Sequence, residues 1–126
     1  MKAIRDTTSN KLEKELIQDI DKIIENSPIL ILELKSGKEF VKYAFKSNNH
    51  LHYADWSYSF SVQNSLPKAS IKICCKWACK NPKYAYLFYK NIKNLDKEDM
   101  DRCIEGTKNT KYYSMLLEHI MNAALE

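Results

Sequence analysis

The chain has 126 residues and a net charge of +4; 44% of its residues are apolar and 29% charged, which suits one soluble domain with a sizeable core. Two glycines and three prolines are too few turn formers for a β-rich fold of this length, so composition favours helices. No stretch approaches the roughly 20 apolar residues of a membrane span, and residues 1–35 lack the apolar run and cleavage site of a secretion signal. The expectation is a cytoplasmic chain whose four cysteines are reduced.

From the N-terminus, residues 1–10 read as a loose leader. Ser9 or Asn10 can cap a first helix that runs to about Asn26. Leu12, Leu16, Ile20, Ile23 and Ile24 form its apolar stripe, with Glu13, Lys14, Gln18, Asp19 and Lys22 on the wet side. Ser27-Pro28 is a cap followed by a proline, a helix-start device. The ILILELKSG that follows is ambiguous. Its alternation suits a strand turning at residues 35–38 into EFVKYAF, a β-hairpin over about 29–46 and an α+β fold. The cap and proline instead favour a short helix with Gly37 just past its end, then a third helix over 38–47 with Phe40, Val41, Ala44 and Phe45 inward. The helical reading is preferred. A fourth helix is expected over 50–62, with Leu51, Ala54, Tyr58 and Val62 inward. Asn64-Ser65-Leu66-Pro67 is the longest loop. It separates N-terminal hairpins (11–65) from a second half (67–124) within a single domain (1–126).

The second half is the more legible. Residues 67–95 hold seven lysines and no acidic side chain. Over residues 68–80, Lys68, Lys72, Lys76 and Lys80 recur every four residues, while Ile71, Ile73, Cys74, Cys75, Trp77 and Ala78 fill the other side. Asn81-Pro82 ends that helix and opens another, in which Tyr84, Leu87, Phe88, Ile92 and Leu95 share one face. Lys83, Tyr86, Lys90 and Lys93 share the opposite face, giving an α-hairpin that is apolar inside and basic outside. Asp96 should cap the next helix, with Met100, Cys103 and Ile104 inward and Gly106 ending or weakening it. Asn109-Thr110 should cap the last, where Tyr112, Tyr113, Leu116, Leu117, Ile120, Ala123 and Ala124 make a broad apolar face.

A shift of 28 residues puts Cys75 on Cys103, Lys80-Asn81-Pro82-Lys83-Tyr84 on Lys108-Asn109-Thr110-Lys111-Tyr112, and Ile92 on Ile120. That is six identities over eighteen positions, where composition alone would give about one. Such spacing is the mark of stacked helical hairpins, each burying its neighbour's apolar flank. The fold class expected is all-α: an irregular stack of seven or eight short helices, a short α-solenoid. Asn81-Pro82-Lys83-Tyr84-Ala85-Tyr86 followed by an aliphatic helix resembles the short tandem α-hairpin repeats of phages, large viruses and some intracellular bacteria. Thr110 stands where that motif has proline. The resemblance implies a repeat fold and a viral or mobile-element source, and it brings no catalytic residues.

For function, Lys68, Lys72, Lys76, Lys80, Lys83, Tyr86, Lys90 and Lys93 are the candidate binding residues. Clustered lysines suit phosphates through counterion release, and Tyr86 could stack on an unpaired base. They equally suit a plain solvated face, and the chain's two arginines lie outside the cluster. The acidic run Asp96, Glu98, Asp99, Asp101 fits a helix N-terminus and could pair with the lysines. Cys75, Cys79 and Cys103 with His119 offer zinc ligands, but repeat-equivalent cysteines suit core packing better, and no metal or cofactor is expected. His50 and His52 near Asp55 do not by themselves make an acid–base site, and no glycine-rich phosphate loop exists. The expected function is a non-enzymatic binding protein, first of a protein partner, which the resemblance narrows to a phage or mobile-element inhibitor of a host defence system. The alternative is a nucleic-acid binder using the basic hairpin. No membrane partner is expected.

Overall fold

The computed structural model describes the backbone of residues 2–46 and 51–125 and the side chains of residues 11–43 and 53–125. The described residues form seven α-helices and one 3₁₀ turn, with no strand: α1 (Lys2–Asn26), the 3₁₀ turn Pro28–Leu30, α2 (Ile31–Lys46), α3 (Leu51–Gln63), α4 (Lys68–Ala78), α5 (Pro82–Asn91), α6 (Lys97–Thr107) and α7 (Lys111–Leu125). The all-α expectation holds, and the β-hairpin over 29–46 does not. The Ser27-Pro28 device produces only the 3₁₀ turn, but that turn runs straight into a helix. Among the described helices, none is long and apolar enough to cross a membrane. The chain divides into two compact units between Tyr53 and Ala54.

In the first unit, α1 and α2 pack together. Leu16, Ile20 and Ile23 of α1 are buried, as their 3.6-residue spacing predicts, and so are Leu34 and Val41 of α2. Three expectations are corrected here. Helix α1 already begins at Lys2, so residues 2–10 are helix and not a loose leader. Gly37 does not end a helix: α2 runs through it, and Gly37 lies buried between Leu34 and Val41 on the inner face. Phe40 is 39% exposed, because the face set by Leu34 and Val41 turns it outward. The expected inward positions Ala44, Phe45 and Leu51 lie outside the described side chains.

The second unit is built from α3 to α7. Helix α5 packs on α4, α6 and α7, and α6 packs on α4 and α7. Each of α4 to α7 therefore meets both its neighbour and the next but one, the pattern of stacked hairpins. Trp77, Ala78, Ala85, Phe88, Cys103 and Leu116 are fully buried at the centre. In α3 the buried face is Ala54, Ser57, Phe60 and Ser61, whereas Val62 is 54% exposed and Tyr58 half-buried. Tyr58 instead accepts a 2.7 Å hydrogen bond from Asn91 Nδ2 and lies against the ring of Tyr84.

Ser27 makes no side-chain cap bond, whereas the caps at Asn81 and Asp96 follow the sequence. The Asn81 side chain accepts from the Lys83 N–H at 3.0 Å, with Pro82 in the first turn. Asp96 accepts from the Asp99 N–H at 2.9 Å. Helix α7 departs: Thr110 Oγ accepts from the Tyr112 N–H and donates to Thr107 O, while Asn109 takes φ 66° in the left-handed region. Helix α5 ends at Asn91, not beyond Ile92, and the chain turns through Asn94 at φ 67°. Leu95 is therefore in the loop.

Candidate functional site

The basic hairpin forms as expected, but its lysines have separate fates. Lys72 is drawn into the acidic N-terminus of α6, with Nζ 3.0 Å from Asp96 Oδ2, 3.2 Å from Asp99 Oδ1 and 3.7 Å from Glu98 Oε1. Its hydrogen bonds to Asp96 and Asp99 raise its pKa, and the Asp99 backbone N–H together with Lys72 holds Asp96 below the usual carboxylate range. Asp99 itself is fully buried. Lys72 thus bridges α4 and α6 as a counter-ion to three carboxylates while its side chain stays 36% exposed. Lys68 stays exposed, and its charge also acts on Asp96.

Other lysines lie on rings of their own helices. Lys76 and Lys80 place Nζ 5.1 and 5.2 Å from the centre of the Trp77 ring, their stems covering a side chain that is itself fully buried. Lys83 lies over Tyr84 and Lys90 over Tyr86, each at 5.6 Å. Tyr86 in turn meets Tyr112 of α7 at 6.0 Å, and Lys111 covers Tyr112 at 5.4 Å. Tyr86, Tyr112, Lys90 and Lys111 therefore form one mixed aromatic and basic strip across α5 and α7. Lys111 and Tyr112 are repeat equivalents of Lys83 and Tyr84, a signal that was present in the 28-residue shift. Lys93 is exposed at the rim of a cleft of about 340 Å³, which Asn64, Leu66, Ile71, Asn91 and Asn94 also line.

A second cluster lies inside the same unit. Cys75 and Cys79 Sγ are 3.7 Å apart, Cys75 and Cys103 Sγ 3.7 Å, and Cys79 and Cys103 Sγ 3.5 Å. Cys75 and Cys103 are fully buried and Cys79 is 8% exposed. Hydrogen bonds among the three thiols act in both directions on each, and with burial the net effect raises all three pKa values above the ordinary thiol range. Cys74 stands apart: it is bonded to Ser61, and burial pushes it up to about 12. His119 does not join the cluster and packs edge-on to Tyr89. Among the described residues, Asp99 Oδ2 is buried without a hydrogen-bond partner.

Gly106 is the reason the sulfurs can meet. A Cβ built there would stand 2.6 Å from Cys79 O and 3.0 Å from Ala85 Cβ. The bare glycine lets α6 press against the end of α4, and Cys103, one turn earlier, follows. Gly106 was expected to end or weaken α6; the helix ends one residue later, at Thr107, and Gly106 also lies close against Cys79. Of the histidine candidates, His50 and His52 lie outside the described side chains, while Asp55 accepts from Ser59 Oγ at 3.3 Å. No protein-family model, curated protein or solved structure matches this chain.

Proposed function

We propose that this chain is a non-enzymatic binding module that docks a helix of a partner protein on the outer flank of α7. One observation carries the reading: Leu117, Met121 and Leu125, spaced i, i+4 and i+8, are 37%, 66% and 85% exposed. The sequence expectation that Leu117, Ala123 and Ala124 would turn inward is corrected, since Leu116 is the fully buried residue of α7 and those three are exposed. Beyond Lys111, α7 carries no lysine or arginine, so this flank offers nothing to a phosphate. Its complement is another apolar stripe, as in helix-in-groove recognition. Covering each large side chain is worth roughly 1.5–3 kcal/mol at full burial, enough for a few anchors to hold a partner. Ile29 and Leu32 in the first unit, 92% and 80% exposed, supply a further apolar surface of the same kind. The resemblance to phage and viral repeats narrows the reading by analogy to an inhibitor of a host defence system, acting in the host cytoplasm.

The test is cross-linking and capture by the intact chain, with and without Leu117→Glu plus Met121→Glu. Both positions are exposed, so the double variant should fold normally. A captured protein that survives nuclease and moderate salt, and is lost with the double variant, supports the reading. A partner held equally by both forms refutes it. Light scattering identifies the case in which the partner is a second copy of this chain.

The strip of Tyr86, Tyr112, Lys90 and Lys111 favours a second reading, single-stranded nucleic acid stacked on tyrosine with lysines on the phosphates. It requires a mobility shift at low salt that fades steeply as salt rises. Lys90→Glu with Lys111→Glu should abolish the shift, and an unchanged shift removes the strip from function.

A further inference from the structure

We propose that Cys75, Cys79 and Cys103 form a three-thiolate site for one thiophilic metal ion, with zinc(II) the ion the geometry fits. The three sulfurs come from two elements, α4 with its C-cap residue Cys79, and α6. Three thiolates bound to zinc at about 2.3 Å with tetrahedral angles need S–S edges of about 3.8 Å. The observed edges of 3.7, 3.7 and 3.5 Å fall short of that figure by about 0.1 to 0.3 Å, a gap that side-chain adjustment closes with no helix moved. At that bond length the ion would sit roughly 0.9 Å out of the sulfur plane, with the fourth tetrahedral vertex left for a further donor. Hard cations such as magnesium and calcium seek oxygen donors and do not suit three sulfurs.

The frame around the sulfurs is rigid. The Cys79 N–H bonds to Cys75 O at 2.9 Å, fixing the two α4 residues relative to one another. Gly106 then sets the distance from α4 to Cys103 through its close approach to Cys79 O and Cys79 Cβ. Binding involves no redox change: each thiol gives its proton to solvent, and three S–Zn bonds replace three S–H bonds. The product carries one net negative charge; the positive charge of Arg102 acts on Cys79, while the negative charge of Asp99 acts on Cys75 and Cys103. Cys79, the one member with residual exposure, gives the ion a way in.

The full-length chain, reduced and freed of metal by chelation, is titrated anaerobically with cobalt(II) and then with zinc(II). We expect thiolate-to-cobalt charge-transfer absorption that saturates at one equivalent, is bleached by one equivalent of zinc, and accompanies a rise in melting temperature. Cys103→Ser should weaken cobalt binding by about tenfold or more, while Cys74→Ser, next in sequence but outside the cluster, should leave it unchanged. The proposal is overturned if the wild-type chain, with its helical circular dichroism intact, shows no such band, or if folded Cys103→Ser binds as tightly as wild type. Formation of a Cys79–Cys103 disulfide in place of metal uptake overturns it as well. Should Cys103→Ser not fold, competition between the wild-type chain and a chromophoric zinc chelator decides: zinc retained by the chain sustains the site, and zinc surrendered entirely ends it.

Discussion

Gly106 shows how one missing side chain positions several others. In a helix interior, alanine is normally better than glycine by about 1 kcal/mol. Here a Cβ would meet the Cys79 carbonyl at 2.6 Å, and backbone cannot move aside as a flexible side chain can. Overpacking typically costs about 1–3 kcal/mol, so Gly106→Ala should lower stability in urea unfolding despite its better propensity; a stabilised variant would refute the close approach. The sequence reading of Gly106 as a helix end holds to within one residue, but propensity carries no information about what lies across the helix, so the close approach to Cys79 was not legible. Asn81 and Asp96 were legible, because a cap acts within three residues of itself. Asn109 was half legible: it sits at the break the repeat predicted, but it adopts φ 66° and leaves the capping to Thr110.

Between elements, the junction of α4 and α6 is held by Lys72 lying among Asp96, Glu98 and Asp99. The pH dependence follows from two opposite shifts. Asp96 has its pKa lowered from 3.8, so its contribution is present above that value and is lost as pH falls through the lowered one. Lys72 has its pKa raised from 10.5, so its contribution is complete below that value and is lost as pH rises through the raised one. Lys72→Met should therefore lower the melting temperature most between about pH 5 and pH 9, with the gap to wild type closing at both extremes. A gap that is constant across pH would remove the ion cluster from the account. The acidic run and the lysine stripe were both visible in the sequence, as was the possibility that they pair. Which lysine pairs was not visible, because the choice depends on the rotation of α4 against α6. That pairing also reduces the lysine face that made the second half look like a phosphate binder.

At the scale of the whole chain, the core of the second unit comes from its own helices: Phe60, Cys74, Trp77, Phe88, Cys103 and Leu116 are all buried and all lie within residues 54–126. A fragment of residues 54–126 should accordingly unfold in one cooperative transition, followed by circular dichroism in urea. A gradual, featureless melt would show that this unit does not hold its core alone. Amphipathic periodicity, proline-after-cap signals and the 28-residue repeat determined that the chain is all-α and where most helices start, because these are local properties of backbone and side chain. Only the tertiary structure decided which flank of each helix is covered. It turned Leu117 and Met121 outward, paired Lys72 with the carboxylates of α6, and drew three separated thiols to one point. Those outcomes depend on how far one helix can approach another, and that distance is set by residues remote in the chain.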